Sequence, residues 1–231
     1  GMNEWMSPPL EFDDSYRYDR GKVLTGEELD AMTERFGRYL DVDGDGIPYR
    51  TYPGAHPTKG AYFTRGSSRD EYAAYTEDGD VYVRNMDRLL QKFETAKSLV
   101  PEAKIKMAAA PTQDALLFFG TTASPAYEAL EMLEKEGIHL DTLRLRSFPF
   151  TQEVEDFIEA HDRIFVIEQN RDGQMRRLLL NETNVEANAK LVSVGEYDGL
   201  PVTARKIATV IRGHLGVNNV TPLVPQEKDI A

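Results

Sequence analysis

Residues 105–145 read IKMAAAPTQDALLFFGTTASPAYEALEMLEKEGIHLDTLRL, and their pattern decides the fold. An apolar run, 115–119, ends at Gly120. A segment with helical spacing follows over 125–136, closed by Gly137, and a second apolar run begins at Thr142. Runs of four to six apolar residues bounded by turn signals read as strands buried on both faces, which is how parallel strands read when helices cover them. The order strand, helix, strand is a βα unit.

Working outward, the pattern repeats. Strands are predicted at 105–108, 115–119, 142–145, 164–167 and 191–194, and helices at 125–136, 152–160, 174–180 and 202–215. Ser124 before Pro125 reads as a cap with proline in the first turn, and Thr151 caps the next helix. Gly137 and Gly216 stand where helices end. Asp198 reads as a turn residue and Thr203 as a cap for the last helix. No internal repeat is visible. The tail from 218 reads as loosely held or docked on a partner.

Upstream the character changes. Thr25 and Glu28 form a capping box, predicting a helix over 26–38. Met86, Leu89, Leu90, Phe93 and Ala96 have amphipathic spacing, predicting a helix over 80–99. Between them, residues 41–70, DVDGDGIPYRTYPGAHPTKGAYFTRGSSRD, follow neither a helical nor a strand period. A loop this long is either functional or disordered, and its aromatic residues argue against disorder. Residues 1–24 read as an extended lead-in, with Gly1 before Met2 like the remnant of an expression tag.

Composition bounds the function. The chain has 231 residues, 41% of them hydrophobic, enough for one large domain or a domain plus a further piece. A net charge of −12 disfavours nonspecific nucleic-acid binding and docking on anionic membranes. No apolar run approaches a membrane-spanning length, and no signal peptide is visible, so a cytoplasmic location is expected. There is no cysteine, which rules out disulfides, a cysteine nucleophile and thiolate ligation of an iron–sulfur cluster by this chain.

Several residue groups could carry chemistry. Asp41, Asp43, Asp45 and Gly46 match the start of a calcium loop, but position twelve from Asp41 is Tyr52 where a glutamate is required, so solvated turn-formers are the stronger reading. Arg50 offers a planar fork suited to a carboxylate; the alternative is a pair with an aspartate of the preceding turn. His56 reads as a polar contact or proton donor near Arg50, or as the cap of a backbone carbonyl. Gly120, Thr121 and Thr122 end a strand before a helix, where amides suit an anion, although the string is neither a P-loop nor a dinucleotide fingerprint. Glu168, Gln169, Asn170, Arg171 and Asp172 form a dense polar cluster at another strand's carboxyl end, read first as an interface element and second as a site near a cofactor. Arg144 and Arg146 alternate with leucines and share a face. No Ser–His–Asp or Cys–His arrangement can be argued, and the four histidines have no metal-ligand spacing.

Six strings extend the reading: GDGIPYRTYPG (44–54), HPTKGAYFTRGSSRDEY (56–72), MDRLLQKFETAKSLVP (86–101), TLRLRSFPFTQEVEDFI (142–158), VIEQNRDGQMRRLL (166–179) and YDGLPVTARKI (197–207). In this order they resemble the alpha subunit of 2-oxoacid:ferredoxin oxidoreductases, the 2-oxoglutarate type most of all. The resemblance implies a three-layer α/β/α sandwich over 101–217 with a mainly parallel sheet, similar to the transketolase C-terminal domain. It implies that 1–100 holds the tail of a pyrimidine-binding domain, a connecting loop and a linker helix, the chain being the C-terminal part of a longer subunit. It further implies oxidative decarboxylation of a 2-oxoacid to acyl-CoA, with electrons passed to ferredoxin and thiamine diphosphate carrying the carbanion chemistry. It places the string IPYRT near the active site, which makes Arg50, Thr51 and His56 the expected substrate contacts. No cofactor is expected on this chain alone; thiamine diphosphate, Mg, an iron–sulfur cluster and coenzyme A belong to the whole complex. The expected partners are a beta subunit, ferredoxin and the 2-oxoacid, with homo-oligomerisation open. A chain of this kind is not active by itself. The reading from another class is a non-catalytic α/β assembly or anion-binding module.

Overall fold

A computed structural model describes residue 9 and residues 11–183, 186–187 and 189–217. The tail 218–231 and the first residues of the lead-in lie outside the described residues. The chain divides into two compact units, residues 9–100 and the residues from 101 onward.

The first unit is mostly irregular. Helix α1 (Gly26–Ala31) starts at the expected capping box, Thr25 Oγ1 accepting from Glu28 N and the Glu28 carboxylate accepting from Thr25 N. It is far shorter than predicted. Lys59 Nζ donates to the carbonyls of Leu29 and Asp30, both at 3.0 Å, and so takes up the carbonyls that a longer helix would have used. Helix α2 (Gly79–Lys97) starts on Asp78, whose carboxylate accepts from Asp80 N and Val81 N. None of its residues is buried, and Val83, Met86, Leu90 and Phe93 are exposed.

Between the helices the loop is held by many local bonds. The DVDGDG turn lies directly against α2. Gly46 has φ +77°, and a Cβ added there would come within 2.4 Å of Lys92 N and 2.8 Å of Arg88 O. Only glycine accommodates both the conformation and the contact. Arg88 Nη1 donates to Gly46 O at 3.0 Å and Thr95 Oγ1 to Asp45 O at 2.6 Å, fixing the turn on the helix.

The second unit is a layered α/β structure. Its strands are β1 (Lys104–Lys106), β2 (Asp114–Phe119), β3 (Asp141–Leu145), β4 (Arg163–Glu168) and β5 (Leu191–Gly195), in the order β1-β3-β2-β4-β5. All neighbouring pairs are parallel except β1 with β3. Alternating side chains separate two apolar layers, as period-2 strands must. Leu116, Phe118, Phe165, Ile167 and Val194 pack with helices α3 (Ala123–Glu134) and α6 (Ala204–Leu215). Ala115, Leu117, Leu143, Leu145, Ile164, Val166 and Leu191 pack on the other face with α4 (Gln152–Ala160) and α5 (Gln174–Glu182). The expected α/β/α sandwich with a mainly parallel sheet is what forms.

Local differences from the sequence reading have local causes. β1 is a short antiparallel edge strand ending at Lys106, its lysines facing solvent. Ser124 does not cap α3. Gly120 takes φ +54°, Thr122 Oγ1 folds back to Phe119 O at 2.5 Å, and a 3-10 turn (Gly120–Thr122) runs directly into α3. Ser124 and Pro125 therefore fall inside the first turn, where proline removes no needed donor. Thr151 occupies the cap position of α4 without a capping side-chain bond. Gly216 ends α6 at φ +71°, and Thr203 Oγ1 accepts from Lys206 N at its start, as expected.

The amino ends of the strands are stapled by charge. Arg163 forks onto Asp114 at 2.7 and 3.0 Å, joining β4 to β2. Buried Asp141 receives Ala108 N at 2.7 Å and meets His161 Nε2 at 3.0 Å, while His161 Nδ1 faces Phe157 O. These pairs commit the polar groups at that end to the protein itself.

Candidate functional site

The sheet has one topological switch point. From β2 the chain moves to β3 through α3 on one face; from β4 it moves to β5 through α5 on the other. β2 and β4 are neighbours, so the loops leaving them part and open a crevice, the position where open α/β sheets bind ligands. A cleft of about 490 Å³ lies there, lined by Phe119, Gly120, Thr121, Thr122, Glu168, Gln169, Asn170 and the start of α5. The two strand-end clusters singled out in the sequence are thus brought to one place.

The chemistry inside the cleft is largely committed to the protein. Glu168 is fully buried. Its Oε2 accepts from Asn170 Nδ2 at 2.5 Å and Met175 N at 3.0 Å, and its Oε1 accepts from Arg176 N at 3.4 Å. Asn170 Oδ1 accepts from Asp172 N and Gln174 N. The amino terminus of α5 therefore already holds a carboxylate, the group its dipole favours. Gly173, φ +61°, makes the turn that brings the helix onto Glu168. Gln169 Nε2 reaches Leu200 O, and Arg171 pairs with Asp172 at 2.7 Å on the surface. Arg146 reaches Glu102 O at 3.4 Å. Asp198 makes the expected turn, accepting from Leu200 N, and pairs with Lys206, whose charge and hydrogen bond hold the Asp198 carboxyl below the usual range.

In the first unit, Arg50 is exposed and, among the described residues, pairs with no aspartate. Its backbone bonds to Lys22 O and Leu24 N, Nη2 donates to Arg20 O at 2.7 Å, and the guanidinium lies 5.7 Å from the Tyr52 ring centre. Thr51 Oγ1 donates to Gly60 O at 2.7 Å, tying the two arms of the loop together. His56 Nδ1 accepts from Thr58 N and Lys59 N, so Nε2 carries the proton that faces Asp30 Oδ1 at 2.9 Å. That ring is a cap for backbone amides rather than for a carbonyl. A second cleft, about 680 Å³, lies in this unit, lined with Arg35, Phe36, Lys59, Tyr62, Phe63 and Tyr72. Sequence reading did not find it, because its walls come from three separate stretches.

The aspartates that read as a calcium loop gather as expected, with Asp41, Asp43 and Asp45 oxygens within 4.8 Å of one another. Lys22 supplies their cation. Its Nζ is 2.7 Å from Asp43 Oδ1, 2.6 Å from Asp45 Oδ2 and 3.1 Å from Ile47 O. Asp41 accepts instead from Gly44 N and Gly46 N. Burial of Lys22 lowers its pKa, but the bonds to Asp43 and Asp45 outweigh that and raise it; the Lys22 bond, then Ile47 N, lowers that of Asp45.

These two donor sets and the composition do not fit the metal, the diphosphate or the cluster that the resemblance implies. Asp43 and Asp45 hold the Lys22 ammonium, the α5 amides are taken by Glu168, and the chain has no thiolate for a cluster.

Comparison with known proteins bears on the same chain. No family model matches it. Subunit alpha of 2-oxoacid:ferredoxin oxidoreductase 2 from Aeropyrum pernix is 27% identical over 221 residues, 90% of this chain and 34% of its own length. The chain is thus similar along most of its length to a 2-oxoacid:ferredoxin oxidoreductase alpha subunit. A second such alpha subunit, from Saccharolobus solfataricus, is 23% identical over 204 residues, 86% of this chain and 30% of its own length. The chain thus spans about a third of the length of these relatives. A solved 2-oxoglutarate:ferredoxin oxidoreductase from Magnetococcus marinus, with 2-oxoglutarate, coenzyme A and succinyl-CoA bound, shares the fold. Its TM-score is 0.67 at 17% identity, over 80% of this chain and 32% of that one. No helix among the described residues is long and apolar enough to cross a membrane.

Proposed function

We propose that this chain is the distal part of the alpha subunit of a 2-oxoacid:ferredoxin oxidoreductase of the 2-oxoglutarate type. The assembled enzyme oxidatively decarboxylates the 2-oxoacid to an acyl-CoA and passes electrons to ferredoxin in the cytoplasm. The observation that carries the reading is similarity to an alpha subunit, 27% identical over 90% of the chain and so through both compact units. In this reading Arg50 offers its exposed fork to a carboxylate of the 2-oxoacid. Thr51 and His56 hold the loop that presents it.

Thiamine diphosphate, its Mg and the iron–sulfur cluster are assigned to other polypeptides, since the donor sets here do not fit them. The beta subunit is the partner that brings the diphosphate, and the α/β unit serves assembly, including any self-association. The chain is inactive alone. The alternative, a non-catalytic assembly or anion-binding module centred on the strand-end cleft, has Glu168 against it, because that carboxylate occupies the helix start an anion would use.

The test is reconstitution. The segment joined to its upstream alpha-subunit sequence, mixed with beta subunit, should reduce a dye in a reaction requiring both a 2-oxoacid and coenzyme A. The upstream piece and beta subunit without this segment should not. Equal rates in both mixtures would overturn the proposal.

A further inference from the structure

Tyr39 is the centre of a cluster of three arginines. The guanidinium carbons of Arg38, Arg69 and Arg88 lie 5.4, 5.7 and 6.0 Å from its ring centre. Arg69 Nη1 also reaches the Tyr39 hydroxyl at 3.4 Å. All four side chains are half-buried. Among the described residues none of the three arginines forms a salt bridge. Their bonds go to neutral acceptors: Arg69 Nη2 to Gly66 O at 2.9 Å and Arg88 Nη1 to Gly46 O at 3.0 Å. Arg88 Nε is buried with no acceptor at all.

The arrangement is costly as it stands. Partly buried charges are normally paired, and like charges held close repel. The repulsion registers at Arg88, whose pKa is lowered by burial first and by the Arg38 charge second. Stacking on Tyr39 offsets part of this. Asp41 lies near enough to favour the Arg88 charge, but its oxygens accept from Gly44 N and Gly46 N at 3.0 and 2.8 Å. The chain carries 39 acidic residues and a net charge of −12, yet among the described residues no acidic side chain forms a salt bridge with these guanidiniums.

We propose that Arg38, Arg69 and Arg88, gathered on Tyr39, form a binding site for a phosphate-type oxyanion. Guanidinium forks match the oxygens of phosphate, and three guanidiniums gathered around one ring suit a multiply charged tetrahedral group better than one carboxylate. The carbonyls of Gly46 and Gly66 and the Tyr39 hydroxyl hold two of the forks in place before the anion arrives, which lowers the ordering cost of binding. The site is independent of the reaction proposed above.

The test is calorimetric titration of the full chain with inorganic pyrophosphate at ionic strength matched with chloride, with succinate as the dicarboxylate control. Saturable binding of pyrophosphate is expected, with succinate weaker and affinity falling at least about tenfold in Arg38→Met. Exposed Arg205, in the other unit, serves as the control: Arg205→Met should bind like the parent. If Arg38→Met does not fold by circular dichroism, Arg38→Lys, which keeps the charge and loses the fork, must weaken binding instead. The proposal is overturned by no heat beyond the chloride control, by parent-like affinity in the folded Arg38 variant, or by succinate binding as tightly as pyrophosphate.

Discussion

Glu168 Oε2 accepts from the amide of Met175 at 3.0 Å, so strand β4 ends by laying its own carboxylate on the first turn of the following helix. The bond decides what the switch-point cleft can do. A helix start occupied by an internal acid is a structural joint. Glu168→Ala should lower the unfolding free energy by about 2–3 kcal/mol, the loss of a cap together with a buried charge-assisted bond. Glu168→Gln, which keeps one acceptor oxygen for Met175, should cost about half as much. Urea denaturation of the parent and both variants measures this, and an unchanged midpoint in Glu168→Ala would assign the carboxylate to a ligand rather than to the helix.

Gly46 tests the docking of the acidic turn on α2. Alanine there needs a positive φ and pushes a methyl into the helix backbone. The expected loss is about 2–4 kcal/mol. Gly44, also at positive φ but with nothing within 4 Å, should lose only the conformational part, about 1 kcal/mol, in Gly44→Ala. Thermal melts of the two variants side by side separate contact from conformation; equal losses would mean the close approach is absent.

The Lys22 ion pairs set a pH window. Asp45 has its pKa lowered by the Lys22 bond, so the stability it contributes is present above the ordinary carboxylate pKa, about 4, and is lost as pH falls through the lowered value. Lys22 has its pKa raised, so its contribution is full below about 10.4 and is lost as pH climbs through the raised value. The melting-temperature difference between parent and Lys22→Met should be flat from about pH 5 to pH 10 and shrink on both sides. A difference that grows toward low pH would contradict the pairing.

Arg50 carries the substrate side of the functional reading. In the reconstituted enzyme, Arg50→Met should raise the Michaelis constant for the 2-oxoacid about tenfold or more, with the melting temperature of the chain unchanged, because the guanidinium makes a single bond to the protein, to Arg20 O. Arg50→Lys should recover only part of the loss, since an ammonium cannot form the fork. A Michaelis constant within about twofold of the parent would remove Arg50 from the substrate.

The α/β layers were legible in the sequence because burial on both sides leaves an unbroken apolar run, and LLFF at 116–119 and IFVI at 164–167 carry that imprint. Edge strand β1 left little trace, since three residues with two outward lysines resemble any surface loop. Helix α1 was drawn too long because its end is set by Lys59, some thirty positions downstream. The cation among the aspartates was invisible for the same reason: Lys22 precedes Asp43 by 21 positions. Arg50 was singled out by its fork chemistry and by resemblance; what the structure adds is its exposure. The Tyr39 cluster joins residues from three stretches, and only folding brings them together.

The two units are built on different physical terms. In residues 9–100 the buried side chains are Leu29, Pro48 and Ala73 alone among the described residues, while a capping box, Asx turns and lysine clamps do the rest. Such a unit releases little oily surface when it opens, so it has a shallow heat-capacity step and scant cooperativity of its own. A unit held this way is expected to open more readily than the sheet beyond Pro101.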